Sequence, residues 1–188
     1  MQHNALPEQD ARATSASTST SVSRRPPLPV PAPADVQAFL MLEADLLDTR
    51  ELDAWLALYT QDAVYWVPAE AGESNPEERI SLFYDDRSIL EDRIWRLGHP
   101  KMFSQNPPVR QVRVLSVPLV HGTEHPQHDR IVTRTKFVLF EHRLREQRTF
   151  GGEYVHTLVK QDGEWFISRK VVRLVNCDAV LWNIGVPL

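Results

Sequence analysis

Two hydrophobic periods divide the chain. From Asp35 onward apolar residues recur at helical spacing. Val36, Phe39, Leu40, Glu43, Leu46 and Leu47 follow the period, with Phe39, Leu40, Leu46 and Leu47 on one stripe. Asp35, ahead of that run, suits an N-cap. Asp48 and Thr49 interrupt it, and Leu52, Trp55, Leu56 and Tyr59 mark a second, short helix. A brief strand is expected over 63–67, closed by Pro68, and the polar stretch 70–79, with Gly72, Asn75 and Pro76, reads as a loop. A third helix starts near Asp85 or Asp86, turns Leu90, Ile94 and Leu97 inward, and stops at Gly98 and Pro100. Beyond that point the period shortens to two. Segments 109–120, 131–142, 149–160 and 164–175 are rich in Val, Thr, Phe and Leu. In the second, Ile131, Thr133, Thr135, Phe137 and Leu139 share one face, and Arg134 and Lys136 take the other. Asp162-Gly163 between the last two runs signals a tight hairpin. Helices first and an antiparallel run afterwards predict an α+β fold, with helices on one face of a curved sheet. The apolar end, 179–188, reads as a last strand or an interface tail.

Ahead of the first helix the pattern vanishes. Between Ala11 and Ala34, 18 of 24 residues are Ala, Ser, Thr or Pro, and none is aromatic. Such a segment cannot bury enough apolar surface to offset its ordering entropy. Residues 1–34 are therefore expected to be a disordered leader, extended along its proline run from Pro26 to Pro33, with a folded domain over 35–188.

Composition narrows the function by exclusion. The 188 residues include 42% hydrophobic and 24% charged, with a formal charge of -4 and no basic block, so nothing points to nucleic acid. No apolar run approaches a membrane span. The single cysteine, Cys177, excludes an internal disulfide and fits a reducing cytoplasm. It also excludes an iron–sulfur cluster held by this chain alone, since even the Rieske variant takes two Cys beside two His.

Candidate chemistry is sparse. His121, His125 and His128, with Glu124 and Asp129, place three imidazoles and two carboxylates within nine residues, a set able to bind a divalent metal. A solvated loop between strands is the competing reading. Asp62, Tyr65 and a strand histidine, His156, could form an acid–base group in a cone-shaped fold. The alternative is a turn aspartate with tyrosine and histidine packed in the core. His142 and His156 could also meet across a hairpin. No phosphate-cradling Gly loop, G-x-S-x-G elbow or H-E-x-x-H pair is present.

Three segments in register carry a family resemblance. They are Glu43-Ala-Asp-Leu-Leu-Asp-Thr-Arg50 continuing to Trp55-Leu-Ala-Leu58 and Asp62-Ala-Val-Tyr65-Trp-Val-Pro68; Leu90-Glu-Asp-Arg93-Ile-Trp-Arg96-Leu97 with Pro107-Pro108-Val-Arg110; and Asp162-Gly-Glu-Trp165-Phe-Ile-Ser-Arg169-Lys. Together, over about residues 36–188, they resemble the small (β) subunits of aromatic-ring-hydroxylating dioxygenases. The resemblance implies a cystatin-like, NTF2-like cone, with a bent antiparallel sheet around N-terminal helices. It implies a catalytic α subunit as partner, a β trimer beneath an α trimer, and no cofactor on this chain. The Rieske [2Fe-2S] cluster and the mononuclear Fe(II) belong to the α subunit, and electrons come from NADH through a reductase. Arg93, Arg96, Pro107, Pro108, Arg110 and Trp182 are then the candidate partner contacts, because arginine's planar fork suits interface carboxylates. For each arginine, pairing within the chain is an equal alternative. One departure stands out: where the family commonly has Thr-Arg-His after Pro-Pro-x-Arg, this chain has Gln111-Val-Arg113-Val114. The second functional reading is a stand-alone isomerase, dehydratase or hydrolase on the same fold, acting on a small apolar compound through Asp62, Tyr65 or His156.

Overall fold

The computed structural model describes residues 30–72, 75–77, 80–98, 107–121, 130–179, 184 and 187–188. Three helices precede most of one seven-stranded sheet. In chain order these are α1 (Ala34–Asp48), α2 (Leu52–Ala57), β1 (Tyr59–Pro68), β2 (Ser81–Asp86), α3 (Arg87–Gly98), β3 (Arg110–Leu115), β4 (Leu119–Val120), β5 (Arg130–Arg143), β6 (Glu146–Gln161) and β7 (Glu164–Leu174). The strand order is β2-β1-β7-β6-β5-β3, with β4 also on β5.

The sheet is mixed, whereas the sequence predicts an antiparallel one. β1 runs parallel to β7, with Tyr65 opposite Lys170 and Trp66 opposite Val171. The helices α1 and α2 lie before β1, so no short hairpin constrains its direction, and α3 and five further strands separate it from its partner. Elsewhere the alternation is followed closely. Ile131, Thr133, Thr135, Phe137 and Leu139 are all buried on one face of β5, as the period of two requires. The long β5–β6 ladder pairs Thr133 with His156 and Leu139 with Phe150. Asp162 and Gly163 both take positive φ, 51° and 89°, the backbone of a two-residue type I′ hairpin between β6 and β7.

Several local expectations shift. Helix α1 begins at Ala34 behind Pro33, without a side-chain cap, and Asp35 sits in its first turn, accepting a hydrogen bond from Trp165 Nε1 at 2.8 Å. The strand expected over 63–67 is twice as long, and β2 arises where no strand is predicted, because its short half-buried pattern lacks clean alternation. The segment 109–120 is divided by Pro118 into β3 and β4. Val30, Pro31 and Ala32 lie along β4: Val120 N donates to Val30 O at 2.8 Å, and Ala32 N to Pro118 O at 2.8 Å. Residues 1–29 of the predicted leader lie outside the described residues.

The core fills the concave side of the sheet. Leu40 and Leu47 of α1, Trp55 and Leu56 of α2, and Leu90, Ile94 and Leu97 of α3 meet Tyr65, Leu139, Leu158, Ile167 and Val172 from the strands. Among the described residues, no helix is long and apolar enough to cross a membrane.

Candidate functional site

Polar groups that would ordinarily face water converge inside this core. Glu43 occupies the apolar stripe of α1 and is 2% exposed, its carboxylate facing Lys170 of β7 and His156 of β6. Its Oε1 accepts from Lys170 Nζ of β7 at 2.6 Å and from Trp55 Nε1 of α2 at 3.1 Å. His156 Nε2 of β6 lies 3.2 Å from Oε2, near enough for electrostatic contact but poorly aligned as a hydrogen bond. Lys170 is fully buried and rests 4.3 Å above the Tyr154 ring, which itself stacks on Phe137 at 3.8 Å. Tyr59 and Tyr65 present ring edges to Trp55, at 4.8 and 6.2 Å.

The electrostatics follow from that geometry. Burial alone would raise the Glu43 carboxyl, but the Lys170 ammonium and the His156 ring outweigh it and hold the carboxyl well below its ordinary range. Burial lowers His156 below its ordinary 6.5, against the pull of Glu43, so the imidazole is neutral at pH 7. Burial raises the Tyr59, Tyr65 and Tyr154 hydroxyls, which therefore stay protonated. This cluster holds one ion pair with donors around it, and its neutral base, the His156 imidazole, is sealed from solvent.

A second, partly buried pair lies between α1 and β3. Arg113 of β3 binds Asp48 at the end of α1 through Nη1, and its backbone N donates to Asp48 Oδ2 at 2.7 Å. Arg113 Nη2 donates to Pro187 O at 2.9 Å, and the Tyr65 hydroxyl accepts from Leu188 N at 3.0 Å. This is the segment where the chain departs from the pattern Thr-Arg-His, and Arg113, at the position of the pattern's His, is a buried structural cation.

Among the residues expected to form an acid–base group, Tyr65 and His156 do reach the interior, but they are not joined. Tyr65 engages Leu188, His156 faces Glu43, and Asp62 is exposed on β1. His142 does not meet His156; it pairs across the sheet with Gln147 and contacts Arg110. Grooves of about 460 and 660 Å³ are lined by other residues, the first by Lys136, Glu153 and Arg173 among others, the second by α1 and β3. Neither reaches Glu43, His156 or Lys170.

The candidate partner contacts lie at the surface with partners of their own. Arg93 binds Asp85 at 2.6 Å and covers the Phe83 ring at 4.3 Å. Arg96 Nε donates to the Asp92 carbonyl at 3.1 Å, and Arg110 Nη2 lies 3.0 Å from His142 Nδ1. Pro107 and Pro108 are exposed, and the Pro107 carbonyl accepts from Arg143. Trp95, unpredicted, is 66% exposed beside Arg96 on α3. Trp182, His125 and His128 lie outside the described residues. Among those described, no group of three or more His, Cys, Asp or Glu is placed to hold a metal.

Comparison with known proteins decides the family. The sequence profile for "Ring hydroxylating beta subunit" matches residues 42–179. This chain belongs to the ring-hydroxylating β-subunit family. It is 32% identical to the 2-halobenzoate 1,2-dioxygenase small subunit of Burkholderia cepacia over 147 residues, 73% of this chain and 86% of the relative. The crystal structure of the benzoate 1,2-dioxygenase β subunit of Burkholderia mallei superposes with a TM-score of 0.66 at 27% identity, covering 85% of this chain and all of that one. An NTF2-like protein with a cystatin-like fold from Novosphingobium aromaticivorans, TM-score 0.52 at 14% identity over 76% of this chain and 80% of its own, shares the architecture. The resemblance and the cone fold read from the sequence are both borne out. Membership makes the chain a component of a dioxygenase system of the oxidoreductase class.

Sequence reading missed Lys170, Arg113 and Asp48 as a group. Two signals were available: Glu43 sits inside an apolar helical stripe, and Lys170 shares strand parity with Val172 and Leu174.

Proposed function

We propose that this chain is the non-catalytic, supporting subunit of an aromatic-ring-hydroxylating dioxygenase. The observation that carries the reading is the interior. Every charged group there is matched by another, the neutral His156 is sealed from solvent, and neither described groove opens onto the cluster. A general base needs an unpaired, accessible group near its working pH. Glu43, neutralised by Lys170 and sealed from solvent, cannot accept a substrate proton. The same observation disfavours the stand-alone isomerase or hydrolase.

In this reading the Rieske cluster and mononuclear Fe(II) reside on a larger α subunit, supplied with electrons from NADH through a reductase in the cytoplasm. This chain forms a β trimer that holds an α trimer in an α3β3 assembly. The surface around Arg96 and Trp95 on α3, with Pro107, Pro108 and Arg110, is its contact with a neighbouring subunit. Exposed tryptophan and arginine are the residue types that anchor interfaces. Arg93, already held by Asp85 and Phe83, shapes that surface from behind.

The test uses the assembled complex. His156→Gln and Tyr65→Phe should leave turnover per iron unchanged, whereas Trp95→Ala with Arg96→Glu should weaken assembly by roughly tenfold or more. Loss of turnover in an intact complex carrying His156→Gln would instead give the interior a catalytic role.

A further inference from the structure

The face of the sheet turned away from the core carries an apolar block. Val112 stands opposite Phe140, and Val114 opposite Val138, on the neighbouring strands β3 and β5. All four take the parity opposite to buried Arg113, Phe137 and Leu139, and they are between 39 and 59% exposed. Gly151 of β6, opposite Val138, has no side chain to cover them. Cations border the block along the strands: Arg110 lies two residues before Val112, and Lys136 two before Val138, both exposed. One carboxylate, Glu153, serves three cations there, Arg134 and Lys136 at 2.7 Å and Arg173 at 3.7 Å, so that border stays positive. Four adjacent apolar side chains on one open sheet face mark a contact surface, where single scattered ones would not.

The chain carries a complement at the other edge of the same sheet. Helix α3 follows the edge strand β2, whereas β3 is the opposite edge. Exposed Ile89 and Trp95 of α3 stand among exposed Asp86, Glu91 and Asp92. Arg87, though paired with Glu91, is anchored on the Leu56 and Tyr59 carbonyls. The imbalance extends to the two halves: residues 34–98 hold 15 Asp and Glu against 5 Lys and Arg, and residues 107–188 hold 8 against 12. Unlike halves of two copies therefore attract, and like halves repel.

We infer that the block of Val112, Val114, Val138 and Phe140 receives the Ile89–Trp95 face of α3 from a second copy of this chain. The inference rests on the reading that the chain forms a trimer, and it names the surfaces used. Lying at opposite edges of one sheet, the two faces meet between copies and not within one. The contact is head-to-tail: each copy offers one face and fills another, and repetition closes a ring. Trp95 and Phe140 are its apolar anchors, with Arg110 and Lys136 meeting the acids of α3 at the rim.

The test uses the full chain. Asp92→Cys and Val114→Cys are purified separately, one of them isotope-labelled, mixed so that copies exchange, and treated with a short bis-maleimide. Cys177 is buried, and wild type treated alike sets the background. Mass spectrometry should find position 92 of one chain linked to position 114 of another, at least about tenfold above the links formed in either variant alone. Val138→Asp, which places a charge inside the contact, should weaken self-association at least about tenfold in sedimentation equilibrium. Leu144→Asp, at the exposed turn between β5 and β6, should leave it unchanged. Links as abundant in one variant alone as in the mixture would show like faces meeting and overturn the proposal. So would an oligomer that survives Val138→Asp, and the trimer would then stand on other surfaces. A chain that stays monomeric both alone and in the iron-bearing complex would remove the trimer itself.

Discussion

Glu43 is tolerated in the middle of an apolar helix stripe because Lys170 and Trp55 meet it with hydrogen-bond donors. A buried ion pair adds little to stability when compared with well-packed apolar residues, yet removing one partner strands the other charge in a low-dielectric core. Lys170→Met should therefore destabilise the chain by about 3–5 kcal/mol in urea unfolding, and Glu43→Gln with Lys170→Met should recover a large part of that loss. Additive losses in the double variant would show that the two groups do not interact. The same cluster sets a pH dependence. Both Glu43 and His156 have folded values below their ordinary 4.5 and 6.5, so the unfolded chain takes up protons first as pH falls. Each group's contribution is complete above its ordinary value and lost below it. Stability should decline first below pH 6.5 through His156, then more steeply below 4.5 through Glu43. His156→Gln should flatten the upper limb alone, as read from unfolding midpoints across pH.

At the scale of elements, the tightest backbone constraint lies where β6 meets β7. A Cβ on Gly152 would collide with the Arg173 carbonyl oxygen, a backbone atom unable to step aside without breaking the ladder. Gly152→Ala should cost roughly 3 kcal/mol, the upper range for overpacking, while Gly151→Ala, whose Cβ would meet only the Phe137 carbonyl at 3.7 Å, should be mild. Equal effects at the two positions would contradict this account of the ladder. Elements that announce themselves through period were legible in advance: α1, α3, β5, β6, β7 and the Asp162-Gly163 turn all stand where the sequence places them. The parallel β1–β7 pairing was not, because strand direction is a long-range property that no local pattern encodes. Nor was β2, whose burial lacks alternation. The site divides in the same way. Tyr65 and His156 could be suspected of facing inward, but the ion pairs of Lys170 with Glu43 and of Arg113 with Asp48 join residues 127 and 65 positions apart. Only their presence at apolar-parity positions hinted at partners.

For the whole molecule, the proposed supporting role fits a cone that has filled its own interior. Concave folds of this kind offer an interior to a ligand, and here aromatic rings, two ion pairs and the Pro187–Leu188 segment occupy it. Outside that interior, Trp95 and Arg96 of α3 are exposed. A subunit that supports a partner needs stability and a surface, and a matched interior supplies the first without competing for the second. The central claim is most directly tested by isolating the tagged full-length chain from cells expressing its neighbouring genes, and assigning iron to each co-purified chain. A larger co-purifying protein should carry all the iron and show a Rieske absorption spectrum, with none on this chain after separation. Recovery of this chain alone as a colourless homo-oligomer from cells shown to express those genes, or iron retained on it after separation, would contradict the account.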